Sequence, residues 1–390
     1  MKILLISRCP PYPLHFGDRL IIWHLARELS QRGYQLDLLA LTQHESDAQE
    51  IDEYDSFFRE VELFPEQERT QWMYLKRLIG AHYPADSNSA WQADMWQVIE
   101  RKLATENYDL VHLFGGVHVY EFANLLKNIP TVITPYESYS LYLTRVLQQR
   151  NSMSIRFSRQ ITRQFESWMY SPYDYTIVLT EEDKAELLSI NSELTIEVIP
   201  NGIDLADFQQ EDRDRDLATL LFVGNYEYPP NHDAALLLAR DIFPQIVAKI
   251  PEAQLLLVGN APSDEMQHYA SDNIIITGRV PRVQDYLASA TVFICPLRVG
   301  AGIKNKVLEA LAMGIPTIAT PLSMEGIHAV DGKHALIADI DHIADKTVEL
   351  LKNRDLQQAL SRNARPLIEA DYSWQGVANQ YESIYTRLLN

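Results

Sequence analysis

The chain has 390 residues, 46% of them hydrophobic and 22% charged, the make-up of an ordinary soluble chain long enough for two domains with separate cores. Its formal charge of −19 argues against nucleic acid as a partner, because phosphate neutralisation drives such binding. No run of about 18 apolar residues is present to cross a bilayer, and the apolar start at residues 1–7 is too short for a signal-peptide core.

Residues 2–7 instead read as a first buried strand, followed by a rigid loop made by Pro10, Pro11, Tyr12, Pro13 and Gly17. Residues 19–33 are predicted as a helix, with Leu20, Trp23, Leu25, Ala26 and Leu29 on its buried face. A strand at 35–41 completes a βαβ unit, from which a parallel sheet follows. Apolar runs at 61–64, 110–114, 131–134 and 176–179 continue the series, and 94–106 is predicted as a helix. The stretch 66–93 shows no clear period. Asn201-Gly202-Ile203-Asp204 is a turn signal, since Asn and Gly tolerate positive φ, and the mixed-charge run 209–216 reads as an exposed linker.

The series then begins afresh, with strands at 219–223, 253–258, 274–277, 291–295, 316–320 and 334–337 and helices at 231–243 and 283–288. Several of these strands end in glycine, as in a doubly wound sheet whose carboxyl edges gather ligand. Cys9 and Cys295 close apolar strands and read as reduced core thiols, which points to a cytoplasmic chain.

The most informative stretch is Pro296 to Ala312. A buried strand is broken by Gly300 and Gly302, and a helix is predicted from Ile303, with Val307, Leu308 and Leu311 in helical spacing. Backbone N–H groups and the positive end of the dipole would converge there on an anion such as a diphosphate, with Lys304 and Lys306 adding charge. Glu309, six residues beyond Ile303 and so roughly 9 Å along the helix, would meet a ribose and accept both its hydroxyls.

This segment, with Gly314 to Thr320, resembles the donor site of the retaining GT-B glycosyltransferases of family 4. So do Asn201 to Asp204, taken as the interdomain signature, and Asp371-Tyr372-Ser373-Trp374 with the helix after it, taken as the terminal crossover. The resemblance implies an α/β GT-B fold, two doubly wound, Rossmann-like parallel-sheet domains facing a cleft. The first would span 1–203 plus the crossover 371–390, and the second, 204–370, would bind the donor. Members usually carry two glutamates with seven residues between them. Glu309 matches the second, but Ala301 stands where the first would fall. Most also carry a basic pair after the glycine equivalent to Gly224, where this chain runs Asn225, Tyr226, Glu227, Tyr228 with no Arg or Lys. Lys304 and Lys306, with Arg298, are the candidates to replace that charge against the leaving diphosphate.

The resemblance further implies donor contacts from Gly17 and Asp18 in the first loop, and from Gly224, Asn225, Gly302, Ile303 and Asn305. Val280 would meet the nucleobase through its main chain. His118 is favoured over His112 as the histidine near the reacting carbon, and His118 and Lys304 are the predicted catalytic residues. Arg19 and Glu137 are further substrate-side candidates. No spacing suggests a metal, and neither metal nor cofactor is expected beyond the nucleotide sugar itself. Arg145, Arg150, Arg156, Arg159 and Arg163 form a run without Asp or Glu, a candidate for contact with an anionic acceptor or the inner membrane face. The function implied is transfer of a sugar from a nucleotide-diphosphate sugar to a hydroxyl of a polysaccharide, lipid-linked or other glycan acceptor. The alternatives are a catalytically weak nucleotide-binding subunit that supports a partner transferase, and a GT-B sugar-nucleotide epimerase.

Overall fold

The computed structural model describes residues 1–14, 17–43, 45–210 and 218–390, so most of the expected linker at 209–216 lies outside the described residues. The chain divides into two compact units, Met1–Asn201 with Val377–Asn390, and Gly202–Gly376. Each is built on one parallel sheet.

The strands of the first unit are β1 (Lys2–Ser7), β2 (Gln35–Thr42), β3 (Glu60–Pro65), β4 (Leu110–Phe114), β5 (Thr131–Tyr136), β6 (Tyr175–Val178) and β7 (Ile196–Val198). They lie in the order β3-β2-β1-β4-β5-β6-β7, every neighbouring pair parallel. The order reverses between β1 and β4, the switch point at which doubly wound sheets bind ligand. Central strands such as β4 and β5 are buried throughout, which is why they read as unbroken apolar runs, whereas the edge strand β3 is only partly covered.

The second unit contains β8 (Thr219–Val223), β9 (Gln254–Val258), β10 (Ile274–Ile276), β11 (Val292–Cys295), β12 (Thr317–Ala319) and β13 (Leu336–Ile337). Their order is β10-β9-β8-β11-β12-β13, again parallel throughout, with its switch point between β8 and β11. The chain has the GT-B fold.

Three local expectations are corrected. The helix expected from Ile303 starts at Asn305, because Gly302 takes a left-handed φ of 64° and Lys304 is extended at φ −100°, ψ 91°. The helix expected at 231–243 is α-helical over Pro229–Leu237, then opens into a wide π-type turn over Leu238–Ile242 before Phe243–Val247. Pro244 accounts for this, since its ring and missing N–H do not fit a regular turn. The stretch 66–93, which showed no period, contains the helix Gln71–Ile79, capped by Thr70, whose Oγ1 accepts from the Met73 N–H.

His112 belongs to the core of the first unit. Its ring is fully buried, with Nε2 2.8 Å from Thr134 Oγ1 and Nδ1 2.6 Å from the Tyr385 hydroxyl on the last helix, Trp374–Leu389. Burial pushes its pKa well below the ordinary range, so it stays neutral. Replacing Tyr385 by Phe leaves one buried ring nitrogen unpaired. The expected result is an unfolding midpoint lower by roughly 4 °C, read by calorimetry, with no change in sheet content by circular dichroism.

Candidate active site

In the second unit, β8 and β11 are hydrogen-bonded neighbours, so the turns that leave their carboxyl ends emerge side by side. The turn after β11 is pinned from behind. Ser323 Oγ donates to the Cys295 carbonyl and accepts from the Leu297 N–H, and Thr320 Oγ1 donates to the Leu297 carbonyl. Gly302 then turns the chain and Lys304 opens the helix Asn305–Ala312.

The two lysines take different places. Lys304 is buried, its ammonium donating to the Gly302 carbonyl at 2.6 Å and lying 3.7 Å from Glu325. Lys306 is half-buried and reaches across to the turn after β8. Its ammonium donates to Asn231 Oδ1 at 2.5 Å and lies 4.5 Å over the Phe222 ring. A Cβ added to Gly224 would lie 3.1 Å from it and 3.0 Å from the Asn231 side chain, tighter than most Cβ contacts, so a larger residue at 224 would push these two side chains back by a few tenths of an ångström. A cation from one turn therefore occupies the edge of the other, which lacks one of its own.

Glu309 lies one turn into the same helix and is half-buried. Burial raises its carboxyl to about 7, although Lys306 pulls in the opposite direction. Burial likewise lowers Lys306 to about 8, with Lys304 adding to the effect and Cys295 and Glu309 opposing it. Because the helix begins at Asn305, Glu309 stands four residues from its start, or about 6 Å, closer to the turn than the sequence spacing implies.

The other expected residues of this unit gather less tightly. Arg298 is paired with Asp233 at 2.5 Å, so its charge is largely balanced. Asn225 accepts from the Glu227 N–H and, through its own carbonyl, from Asn231 Nδ2 at 2.8 Å. Ile303 and Val280 pack against the core of the unit, and Val280 lies in the loop after β10. Ala301 is buried at 8% exposure.

At the carboxyl edge of the first sheet the polar groups come as internally balanced pairs. The helix Gly17–Gln31 begins at the exposed Gly17, and the Asp18 carboxylate accepts from Arg8 at 2.7 and 2.9 Å and from Cys9 Sγ at 3.4 Å. Burial works against the charge on Asp18, but Arg8 outweighs it and holds the carboxyl below its ordinary range. Arg19 turns inward, to Asp47 at 2.9 Å and to the Tyr12 carbonyl. Glu137 follows β5 and is half-buried. Arg8 was missed in the sequence. Its signal is position alone, a charge placed directly after the first buried strand.

His118 ends a short 3-10 turn after β4, with Nδ1 2.6 Å from Glu66. Arg69 fixes this turn by donating to the carbonyls of Val117 and His118 at 2.9 and 3.0 Å. Burial by itself would raise the Glu66 carboxyl, but the hydrogen bond and charge of His118, with Gln43 and Arg69, hold it at about 2. A carboxylate can only accept, so Nδ1 carries the proton that joins the pair. Glu66 was also missed, because it lies in the stretch without a period. Beside the pair, Gln43, Glu66, Gln67, Glu68, Arg69 and Tyr74 line an open depression of about 300 Å³. Among the described residues no group of three His, Cys, Asp or Glu side chains is placed to hold a metal.

Comparison with known proteins agrees with this architecture. Residues 20–207 match the model described as Glycosyltransferase Family 4, and residues 218–353 the model described as Glycosyl transferases group 1. The two matches and the fold place the chain in the GT-B glycosyltransferase class. Among curated relatives, the phosphatidyl-myo-inositol mannosyltransferase of Mycolicibacterium smegmatis is 28% identical over 199 residues, 48% of this chain and 50% of that protein. The matched region thus spans about half the length of that relative. Among solved structures, a sucrose-phosphate synthase from Thermosynechococcus elongatus superposes with a TM-score of 0.74 at 19% identity, covering 99% of this chain and 98% of the other. Anabaena HepE in complex with UDP and glucose gives 0.68 at 13% identity, covering 99% and 100%.

The Glu66 pair makes a pH-dependent contribution to stability. A carboxyl held at about 2 when folded stabilises the protein above its unfolded value of about 4.5, and that contribution is lost as pH falls towards 2. Glu66→Gln is expected to lower the unfolding midpoint at pH 7 by roughly 4 °C and to bring the variant and wild type together near pH 2, read by thermal unfolding across pH.

Proposed function

We propose that this chain transfers a sugar from a nucleotide-diphosphate sugar to a hydroxyl of a polysaccharide, lipid-linked or other glycan acceptor, with retention at the anomeric carbon. The observation that carries the reading is the Lys306 ammonium, held at the Gly224 turn where β8 and β11 end, one helical turn before Glu309. The UDP and glucose named for the Anabaena neighbour support the same class of donor.

In this reading the diphosphate lies across the two turns, against Lys306, the N-terminus of the helix that starts at Asn305, and the backbone of Gly302 and Ile303. Lys304 holds that turn in shape and adds its charge behind it. The bond from the anomeric carbon to the diphosphate oxygen breaks as the acceptor oxygen bonds to the same carbon, and the acceptor proton passes to the departing diphosphate oxygen. Preorganised cations meet the charge that develops on the leaving group, the role a metal fills in other designs. Glu309 as carboxylate accepts the ribose hydroxyls, Asn225, Asn305 and Arg298 border the phosphates, and the Val280 main chain meets the base. On the first unit, Gly17, Asp18 and His118 are the candidates for contact with a hydroxyl-rich substrate. The cysteines are buried free thiols, as suits a reducing cytoplasm.

Ala301 favours one competing reading, a subunit that binds nucleotide without turning it over, since a carboxylate toward the sugar is missing. Incubation with a panel of nucleotide sugars, with and without crude glycan or lipid acceptors, separates the two. Acceptor-dependent release of nucleotide is expected, whereas tight binding without release under every condition would reject transfer. Lys306→Ala is expected to lower kcat/KM at least a hundredfold. The profile of kcat/KM against pH should fall below about 7 as Glu309 takes a proton and above about 8 as Lys306 loses one. A flat profile from pH 6 to 9 contradicts these assignments.

The arginine run lies on two helices, Tyr139–Gln149 and Met153–Glu166, with Arg150 just past the end of the first. Part of it is engaged within the protein, since Arg163 pairs with Glu186 and Arg159 donates to the Thr144 hydroxyl. The outer part carries exposed Met153 and Phe157, at 79% and 68%, beside exposed Arg150 and Arg156. Apolar tips beside arginines suit insertion into an anionic lipid surface, and the mycobacterial relative is named for a lipid acceptor. No helix among the described residues is long and apolar enough to cross a membrane. Sedimentation with phosphatidylglycerol vesicles should retain the protein and phosphatidylcholine vesicles should not. Ser at both 153 and 157 should abolish retention, and equal recovery in every case would reject the surface.

A further inference from the structure

Resting on the reading of the β8–β11 edge as a diphosphate site, we propose that Asn231 is a positioning residue. It holds the Lys306 ammonium at the Gly224 turn while leaving its charge unneutralised.

The turn after β8 carries no Arg or Lys from Gly224 to Ala239. What it carries instead is a neutral acceptor. Asn231 sits in the first turn of the helix Pro229–Leu237 at 8% exposure, with its N–H donating to the Tyr228 carbonyl at 3.0 Å. Both ends of its side-chain amide are committed. Nδ2 donates to the Asn225 carbonyl at 2.8 Å and Oδ1 accepts from Lys306 at 2.5 Å. This fixes which end faces the lysine, because the flipped amide would set an NH2 against an ammonium and an oxygen against a carbonyl oxygen. A long flexible lysine stem is thereby held in one arrangement.

The neutrality of Asn231 matters as much as its reach. A carboxylate at 231 would reach the same ammonium but pair with it, and an incoming diphosphate would have to break a half-buried ion pair first. An amide oxygen orients the cation and leaves its net charge for the ligand. It also draws Lys306 toward Gly224 and away from its own helix, where Glu309 follows three residues later and would otherwise be the natural partner. The carboxylate and the ammonium thus remain two separate recognition groups rather than one internal salt bridge.

The experiment uses the full-length protein with Asn231→Asp, Asn231→Ala and Asn231→Ser. Binding of inorganic pyrophosphate and of UDP and GDP is measured by calorimetry. The Lys306 titration is followed by NMR of reductively 13C-methylated lysines, assigned with Lys306→Arg. Asn231→Asp is expected to weaken pyrophosphate binding at least tenfold and to raise the Lys306 titration, with the unfolding midpoint within a few degrees of wild type. Asn231→Ala is expected to weaken binding by a smaller factor without raising the titration, and Asn231→Ser to lie between Ala and wild type. The Ala and Ser variants carry the test if the Asp variant does not fold. Unchanged pyrophosphate affinity in all folded variants, an unmoved Lys306 titration in folded Asn231→Asp, or no pyrophosphate binding by wild type overturns the proposal. Asn231-dependent pyrophosphate binding without release from any nucleotide sugar supports it and removes the transferase reading. Sugar transfer indifferent to these substitutions does the reverse.

Discussion

The adjacency of β8 and β11 is the constraint on which the carboxyl edge of the second sheet depends. In a doubly wound sheet the order of strands reverses at one place only, and there the two turns leave the carboxyl edge in opposite directions and enclose a crevice. A side chain on either turn can then serve both. This is what allows Lys306, on the helix after β11, to stand at the glycine after β8. The sheet supplies the geometry, glycine at 224 supplies the room, and Asn231 supplies the direction.

The electrostatics of that edge follow from partial burial. An ammonium and a carboxylate on the same face of a short helix would ordinarily neutralise one another. Here burial disfavours the charged form of each, lowering Lys306 to about 8 and raising Glu309 to about 7, so both titrate within reach of neutral pH. An anionic ligand on Lys306 favours its charged form, and a hydroxyl donor on Glu309 favours the carboxylate. Lys304 is different in kind. With its ammonium on the Gly302 carbonyl and near Glu325, it shapes the turn through which the helix N-terminus is presented.

How much of this was legible in the sequence varies with the range of the interaction. Strands buried on both faces announce themselves as apolar runs, so β1, β4, β8 and β11 were readable within a residue or two. The glycine turn and helix after β11 were readable for the same local reason. The helix start was misplaced by two residues because periodicity cannot show that Lys304 is extended, and the break before Phe243 was hidden because Pro244 acts on the turn behind it. Side-chain pairs distant in sequence were not readable at all. Nothing local links Lys306 to Asn231 across 75 positions, or His118 to Glu66 across 52. The absence of a cation after Gly224 was visible in the sequence, but that Lys306 stands beside that glycine follows only from the strand order, which places the two turns together.

The two carboxyl edges differ in what they leave uncompensated, and this difference bears on what each can bind. On the first unit the charged groups near the edge are matched within the protein: Arg8 with Asp18, Arg19 with Asp47, His118 with Glu66. Such an edge has little net charge to offer and many fixed donors and acceptors, which suits a neutral, hydroxyl-rich ligand. Discrimination there comes from hydrogen bonds that a wrong ligand would leave unmade. On the second unit Arg298 is matched by Asp233 and Lys304 lies near Glu325, while Lys306 rests on a neutral amide. In a chain with a formal charge of −19, a half-buried cation without a carboxylate partner is costly unless a ligand completes it. An anion that enters gains from a preorganised cation, a helix N-terminus and a low-dielectric wall formed by Phe222 and the strand ends. That combination explains why the lysine can be held by an asparagine and still be retained at this position in a stable fold.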